Sequence, residues 1–255
     1  AAHIADTGLA HARAEQPAGV TERIGSEGRL SAAQSNQGES VVASREFTTS
    51  LDALVSDARA LADAADASGE RFILGIAGPP GAGKSTVAAV LEEQLDGRAV
   101  VVPMDGFHLA NSVLDERGLS SRKGAPDTFD VEGFQALLAR LREGEGTVLA
   151  PKFNRGAEAP VPNAIAIPPK VHLVIAEGNY LLHDQCGWER VRPLLDAVWY
   201  LDVPADEVQR RLVARRLRHG HHEDAARTWV HDVDLRNYAV VDAGKARADR
   251  VVTLV

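Results

Sequence analysis

The sequence predicts a three-layer α/β/α fold, in which helices cover both faces of a mostly parallel sheet and a helical lid follows late in the chain. Short apolar runs alternate with segments of helical periodicity, which is typical of parallel βαβ units. A glycine-rich segment that ends in Lys84-Ser85 stands between an apolar run and a helical segment. An arginine-rich helical segment extends from Ala205 to Arg218. These observations favour a single α/β domain over residues 46–255.

The predicted elements follow one another along this domain. A first helix begins after the N-cap candidate Ser50 and ends at Ser68-Gly69, because apolar residues recur at helical spacing. Strands are predicted in "RFILGIAG" and from Ala99 to Met104, followed by a helix from Asp130 to Leu141. The remaining predictions are the strands "VHLVIAEG" and "DAVWYLDV", a helix from Ala205 to about Arg218, the helical "WVHDVDLRNYAVV" and a final strand "RVVTLV".

Residues 1–45 differ in composition from the rest of the chain. They are rich in Ala, Gly, Ser, Gln and Glu and contain few large apolar groups. We therefore expect a mobile N-terminal tail, with a targeting or docking arm as the alternative. Within the following domain, the lid is expected at about residues 205–235.

Charge and cysteine content restrict the class of protein. The 255-residue chain has a formal net charge of −8 and no long basic block, which argues against a nucleic-acid partner. No membrane partner is expected, because no apolar run approaches the length of a membrane span and no secretory signal is recognisable. Cys186 is the only cysteine, which fits a reducing, cytoplasmic location.

Gly78 to Ser85 fits the phosphate-binding pattern G-x-x-x-x-G-K-[ST] in full. The glycines let the backbone point its N–H groups at an anion, and the next helix adds the positive end of its dipole. Lys84 supplies charge for the β and γ phosphates, and Ser85 offers a hydroxyl to Mg²⁺. We expect a nucleoside triphosphate and Mg²⁺ to bind through Gly78, Pro79, Pro80, Gly81, Ala82, Gly83, Lys84, Ser85 and Thr86.

Two carboxylates follow predicted strands. Asp105 stands just beyond the second strand, where ligands bind in an open parallel sheet. It can orient a hydroxyl and accept its proton as the hydroxyl attacks the γ-phosphate, whereas the alternative is simple Asp-Gly turn chemistry. Glu177 ends the strand "VHLVIAEG" and suits a ligand to Mg²⁺ or to its water, with an acidic strand cap as the alternative.

The motifs also point to a family. The phosphate-binding segment, "DGFHL", "RKGAPDTFD", "PKFNR", "VIAEGNYLL" and "RRLVARRLRHG" occur in this order. With them the chain resembles the superfamily of P-loop kinases that contains phosphoribulokinase, uridine kinase and bacterial pantothenate kinase. It looks closest to the branch named nucleoside or nucleotide kinase, or fructose-transport-associated kinase. The resemblance covers about Phe72 to Val255 and implies ATP-dependent transfer to a small-molecule hydroxyl, with Asp105 at the position of the catalytic carboxylate.

The predicted acceptor contacts lie in or beside these motifs. Positive charge is offered by Arg122, Lys123, Lys152 and Arg155, hydrogen bonds by His108, Asn111 and Asn154, and flat surfaces by Phe107, Phe129 and Tyr180. Lys123, Asp127 and Arg155 are the preferred contacts. Uridine kinases have Tyr and Asp where this chain has Phe153-Asn154, so we expect a sugar or sugar-like polyol rather than a nucleoside. A surface or core role is the alternative for each residue taken singly.

The segment "DEVQRRLVARRLRHG" has two interpretations. Asp206 and Glu207 lie four residues before arginines, so part of the run can be paired on a solvated helix face. The other interpretation is a lid that brings arginines onto the phosphates and excludes water. Arg211 and Arg215 share a face and resemble the lid arginines of the family. The cluster from His219 to His222 matches no zinc-binding pattern.

A small-molecule kinase is the first functional hypothesis, and two alternatives stay open. A uridine-like nucleoside or pantothenate also carries a suitable hydroxyl. A protein of another class, an ATPase switch that acts on a protein partner, would use the same phosphate-binding segment and hydrolyse ATP without an acceptor. The expected partner is a small-molecule alcohol, and a homodimer is left open.

Overall fold

The computed structural model describes residues 45–255, so the predicted tail lies outside the described residues except for Arg45. The elements alternate as the sequence predicts. In chain order they are β1 (Arg45–Thr49), α1 (Leu51–Ser68), β2 (Phe72–Ala77), α2 (Lys84–Gln94), β3 (Ala99–Pro103), α3 (Asn111–Glu116), α4 (Val131–Glu143), β4 (Val148–Asn154), β5 (Ala159–Ile167), β6 (Leu173–Gly178), β7 (Ala197–Leu201), α5 (Ala205–Arg218), α6 (Glu223–Trp229), α7 (Leu235–Asp242) and β8 (Arg250–Leu254).

Six strands form one sheet in the order β1-β8-β7-β2-β6-β3, and every neighbouring pair is parallel. The predicted fold class is therefore confirmed. The register aligns Ala77 at the end of β2 with Gly178 at the end of β6, and Pro103 at the end of β3 with Glu177. The three neighbouring strands β2, β6 and β3 thus end together at the carboxyl edge of the sheet, and the segments that follow them are brought close to one another.

Apolar side chains cover both faces of the sheet. On one face, Leu54 of α1 and Leu91 of α2 are fully buried in a cluster with residues of β2, β6 and β7. On the other face, Phe134 and Leu138 of α4 pack with Trp188 in a larger cluster. Because parallel strands are covered on both sides, β2 and β6 are almost entirely buried, which explains why they appear in the sequence as continuous apolar runs.

The ends of the helices follow local chemistry. Ser50 Oγ accepts a hydrogen bond from Ala53 N over 3.3 Å at the start of α1, and Gly69 ends that helix with a φ of 71°. Asp130 Oδ1 accepts from Gly133 N over 2.9 Å at the start of α4. The predicted boundaries of α1 are confirmed, and α4 continues two residues beyond the predicted end at Leu141, to Glu143.

Two features differ from the prediction. β1 is an additional edge strand that pairs with β8, and its polar sequence "REFTT" lacks the apolar run that marks the buried strands. The motif "PKFNR", predicted as a loop, lies largely in β4, which pairs with β5 in a separate antiparallel hairpin. Pro151, Pro160 and Pro162 disfavour strands in the sequence, but the hairpin stands apart from the main sheet and tolerates them.

The predicted helix from Ala205 to Arg218 is confirmed as α5. The predicted helical segment "WVHDVDLRNYAVV" runs from the end of α6 through a π-helical turn at Val230–Asp234 into α7. Val208, Leu212 and Val230 form a small apolar cluster that joins these helices. No helix between residues 45 and 255 is both long and apolar enough to cross a membrane.

Candidate active site

A cavity of about 490 Å³ lies at the edge of the sheet where β2, β3 and β6 end. The cavity is lined by the loop after β2, the turn after β3, the hairpin turn after β4, the carboxyl end of β6 and α5. Its polar lining comes from all of these segments. The lining residues are Pro80, Gly81, Gly83, Lys84, Ser85, Thr86, Asp105, Arg155, Glu177, Gly178, Asn179, Arg211, Leu212, Arg215 and Arg218.

The phosphate-binding segment forms the loop between β2 and α2. Gly83 has a φ of 95°, a conformation that residues with a side chain rarely adopt, and it immediately precedes the first helical residue, Lys84. The first N–H groups of α2 therefore begin at the cavity and lack intrahelical partners. The loop and helix together fit an anion such as a triphosphate, because N–H groups and the helix dipole both favour negative charge there.

Lys84 is buried, with 8% of its surface exposed. Its Nζ donates hydrogen bonds to Pro79 O over 2.9 Å and to Asn179 Oδ1 over 2.7 Å. Burial lowers the pKa of the ammonium to about 8, although the charges of Glu177 and Asp105 partly oppose this shift. A buried cation of this kind is stabilised when an anionic group enters the cavity beside it.

Glu177 and Ser85 provide the oxygen ligands that the sequence predicts for Mg²⁺. Ser85 Oγ donates to Glu177 Oε1 over 3.1 Å, and Glu177 is 5% exposed. Burial raises the pKa of Glu177, while the nearby Lys84 ammonium acts in the opposite direction. A carboxylate and a hydroxyl that face a polar cavity are the donor types that Mg²⁺ prefers, so the two residues fit this cation.

Asp105 lies in a short 3₁₀ turn, Met104–Phe107, directly after β3. Its Oδ2 is 3.5 Å from Arg155 Nη2, and a third of the Asp105 side chain is exposed. The hairpin that carries Arg155 packs closely on this turn, because a Cβ atom built on Gly106 would stand only 2.4 Å from Pro151 O. The close approach at Gly106 therefore sets the distance between the hairpin and the carboxylate.

Other predicted acceptor residues are tied to their own surroundings. Lys123 Nζ donates to Asn111 Oδ1 and Glu158 O, both over 2.8 Å, which attaches the loop before α4 to the hairpin. Asn154 Oδ1 accepts from Gly156 N over 2.9 Å and so closes the hairpin turn. Lys123 and Asn154 therefore stand outside the set that lines the cavity, in contrast to the predicted role as acceptor contacts.

The aromatic residues form part of the core instead of offering flat surfaces to a ligand. Tyr180 is fully buried, and its hydroxyl donates to Gly124 O over 2.5 Å. Phe129 is 6% exposed and packs against Tyr180 with ring centroids 5.7 Å apart. His108 stacks on Phe129 at 4.1 Å, and its Nδ1 is 2.8 Å from Asp105 O. The structure places Phe129 and Tyr180 in the core, and their contact with a ligand stays a prediction.

Asp127 belongs to a different cavity. Its carboxylate pairs with Arg122, and both residues line a second cavity of about 640 Å³. This cavity is bounded by the loop before α4, by His183, Gln185 and Cys186 after β6, and by residues of the π-helical turn and α7. Asp127 is thus separate from the group formed by Asp105, Lys84 and Glu177, because its charge is turned toward Arg122.

The lid helix α5 presents one face to the first cavity. Arg211, Arg215 and Arg218 all line it. Arg211 Nε is 2.6 Å from Glu207 Oε1, so the predicted pairing on a solvated face also occurs. The Arg215 guanidinium has no side-chain partner within the described residues, and burial lowers its pKa. Among residues 45–255, no three His, Cys, Asp or Glu side chains gather as a metal site, the segment from His219 to His222 included.

Two cavity residues with polar side chains lie outside the predicted site. Asn179 contacts Lys84 directly, and Arg218 lines the cavity at the end of α5. Asn179 stands in the motif "VIAEGNYLL" two residues after Glu177, so its position just past a strand end was the available signal. For Arg218, the signal was its spacing of seven residues from Arg211, which places both on one helix face.

Comparison with known proteins places this geometry among kinases. The family model described as Phosphoribulokinase / Uridine kinase family matches residues 73–255. The uncharacterized protein YggC of Escherichia coli (strain K12) is 33% identical over 189 residues, which cover 72% of this chain and 78% of that protein. A protein of Schizosaccharomyces pombe that is provisionally named uridine kinase is 33% identical over 161 residues, 59% of this chain and 68% of its own.

The similarity extends to a solved structure. A protein from Silicibacter sp. TM1040, provisionally named as a fructose transport system kinase, has a crystal structure that matches with a TM-score of 0.70. Its sequence is 37% identical, and the match covers 80% of this chain and 98% of that one.

Proposed function

This chain belongs to the phosphoribulokinase/uridine kinase family of P-loop kinases, and we propose that it transfers the γ-phosphoryl group of ATP to the hydroxyl group of a small molecule. One observation carries the proposal: Lys84, Glu177 and Asp105 line a single cavity at the carboxyl edge of the sheet. A lysine for the phosphates, oxygen ligands for a cation and a free carboxylate for a hydroxyl are the parts that phosphoryl transfer requires.

In the proposed reaction, the loop after β2 and the start of α2 hold the triphosphate, with Lys84 at its β and γ phosphates. Ser85 and Glu177 are the residues that would hold Mg²⁺, and the bound ion would neutralise charge on the phosphates. Asp105 orients the acceptor hydroxyl and takes its proton. A bond forms between the acceptor oxygen and the γ-phosphorus, the bond from this phosphorus to the bridging oxygen breaks, and ADP leaves.

The arginines of α5 have a separate task in this proposal. Arg211 and Arg215 line the cavity from α5, and Arg211 Nη1 is 3.4 Å from Gly81 O of the phosphate-binding loop. Drawn onto the phosphates, they would stabilise the charge that develops on the transferred group and exclude water. Exclusion of water matters in a kinase, because water would otherwise compete with the alcohol for the phosphoryl group.

The acceptor we favour is a sugar or sugar-like polyol. Asp105 and Arg155 stand together at the open side of the cavity, and such a pair suits a ligand with several hydroxyl groups. The rings of Phe107, Phe129 and Tyr180 are buried and offer no free face to a nucleobase. The name of the Silicibacter protein, which refers to fructose transport, agrees with a sugar-related acceptor.

Two other functions are the natural alternatives. A nucleoside is one alternative acceptor, because the Schizosaccharomyces protein is provisionally named a uridine kinase. Pantothenate is another, because a similar protein of Chelativorans is named pantothenate kinase. An ATPase switch would hydrolyse ATP steadily without an acceptor and would need a residue that positions water. Asp105 has Arg155 as its neighbour and stands at the open side of the cavity, which suits an incoming alcohol better than a held water.

The test is a screen of hydroxyl compounds for acceptor-dependent ADP release. The panel contains sugars, polyols, nucleosides and pantothenate, each with ATP and Mg²⁺, and Lys84→Ala serves as the inactive control. We expect release to rise with one sugar or polyol and to stay at background without an acceptor. Stimulation by a nucleoside alone would overturn the acceptor class, and rapid release without any acceptor would overturn the kinase.

A further inference from the structure

Asn179 is a cavity residue to which the phosphate-binding pattern assigns no role. It follows Gly178 at the carboxyl end of β6, and its side chain lines the cavity beside Lys84. The 2.7 Å contact with Lys84 Nζ fixes the direction of the amide. Because an ammonium only donates, Asn179 turns its oxygen to Lys84, and its Nδ2 group points elsewhere.

The contact also fixes the direction of Lys84. An ammonium has three N–H donors, and two of them are taken by Pro79 O and Asn179 Oδ1. Both acceptors are neutral, so they orient the ammonium without cancelling its charge. The third N–H is left for the ligand, and the full positive charge is available to a phosphate.

The nitrogen of Asn179 is available as well. Within residues 45–255 the structure gives Nδ2 no hydrogen-bond partner, and the residue is only half-buried at the cavity wall. These two N–H groups belong to a side chain that lines the cavity and contacts the Lys84 ammonium through its oxygen. A neutral donor at this place can contact a phosphate oxygen that Lys84 also binds.

Resting on the proposed function, we infer that Asn179 selects the triphosphate over the diphosphate. Its Oδ1 orients Lys84 toward the phosphates in general, and its Nδ2 donates to an oxygen of the γ-phosphate, which is the contact that a diphosphate lacks. Asp105 and Glu177 already place two carboxylates in this cavity. A third carboxylate at position 179 would repel the γ-phosphate, which explains why an amide suits the position.

The experiment compares two nucleotides by isothermal titration calorimetry. Mg²⁺ with ADP and Mg²⁺ with a non-hydrolysable ATP analogue are titrated into the wild-type chain, Asn179→Ala and Asn179→Asp. Gln94→Glu is the control, because it adds the same charge at the exposed far end of α2, about 15 Å along the helix. Thermal unfolding verifies that each variant is folded, and Asn179→Ser replaces the alanine variant if that one is not.

We expect Asn179→Ala to weaken binding of the ATP analogue roughly tenfold, while binding of ADP stays within about twofold. Asn179→Asp should bind the analogue more weakly still, and Gln94→Glu should match the wild type. Equal losses for both nucleotides, or no loss for either, would overturn the inference. Neither readout needs an acceptor, so a failure here is distinguishable from a failure of the proposed kinase activity.

Discussion

Arg155 Nη2 lies 3.5 Å from Asp105 Oδ2, although one residue belongs to the hairpin and the other to a turn after the central sheet. Side chains of Arg155 and Asp105 are 63% and 33% exposed, so solvent reaches the pair and weakens its attraction. An exposed pair of this kind can separate at little cost when a ligand enters. In the proposed reaction, the guanidinium would then contact the same acceptor that Asp105 orients.

The variant Arg155→Ala tests this position. We expect KM for the acceptor to rise roughly tenfold, because a hydrogen bond to a charged group is lost, while KM for ATP changes by less than about twofold. Steady-state kinetics with each substrate varied separately measure both values. The control is Lys170→Ala, an exposed lysine in the turn before β6, at the opposite edge of the sheet. An equal rise of both KM values would contradict the assignment of Arg155 to the acceptor side.

The lowered pKa of Lys84 predicts a pH dependence of nucleotide binding. Burial moves this pKa down from 10.5 to about 8, so the free enzyme loses the ammonium as pH rises through 8. Because the charged form binds the phosphates, affinity for ATP should fall roughly fivefold between about pH 8 and 9. Binding titrations across this range measure the effect. Lys84→Ala should bind weakly at every pH, and the same inflection in that variant would show that another group is responsible.

Two adjacent arginines of α5 form a matched pair. Arg215 lines the cavity, whereas Arg216 stacks over the Trp229 ring at 4.6 Å and lies 3.9 Å from Asp234. We expect Arg215→Ala to lower kcat roughly a hundredfold, because a charge on the transferred group is no longer stabilised. Arg216→Ala should instead cost about 1 kcal/mol in the free energy of unfolding and keep kcat near the wild-type value. An equal loss of kcat in both variants would contradict this prediction, because it would show that Arg215 affects activity only through the stability of α5.

Arg250 connects elements on one side of the sheet. Its guanidinium stands 4.8 Å from the Phe47 ring and 5.6 Å from the Trp199 ring, and it pairs with Asp57 of α1. Arg250→Ala should lower the free energy of unfolding by about 1–3 kcal/mol, because packing and the partly buried ion pair are both lost. Urea denaturation measures this value, with exposed Arg190→Ala as the control. A change within the error of the control would show that this cluster contributes nothing measurable to stability.

The parts of the site that lie near strand ends could be predicted from the sequence. Gly78 to Ser85, Asp105 and Glu177 each follow an apolar run that is short and uninterrupted, so the sheet edge could be located without knowing the packing. Helix signals such as the Ser50 cap and Gly69 are equally local. Local patterns suffice here because each one fixes backbone direction over a few residues.

The outer contacts could not be predicted, because they depend on pairing between distant segments. Lys123 is held by Glu158, 35 residues away, and this contact exists only once the hairpin has formed. Nothing in the motif "VIAEGNYLL" marks Tyr180 as a core residue. In the structure it is buried, and its hydroxyl donates a hydrogen bond to Gly124 O, 56 residues away in the chain. The β4–β5 hairpin could not be predicted either, because its prolines disfavour strands in the sequence. Asn179 was overlooked for a similar reason, because its partner Lys84 comes from another strand end.

The central claim is that Asp105 activates an alcohol beside a triphosphate held by Lys84, and the variant Asp105→Asn tests it most directly. With γ-labelled ATP and the acceptor found in the screen, transfer of label to the acceptor is followed in a single turnover. We predict that Asp105→Asn slows transfer by roughly 10²–10⁴, the range for loss of a general base, while ATP binds within about twofold of the wild type. Label transfer at the wild-type rate in Asp105→Asn would contradict the account.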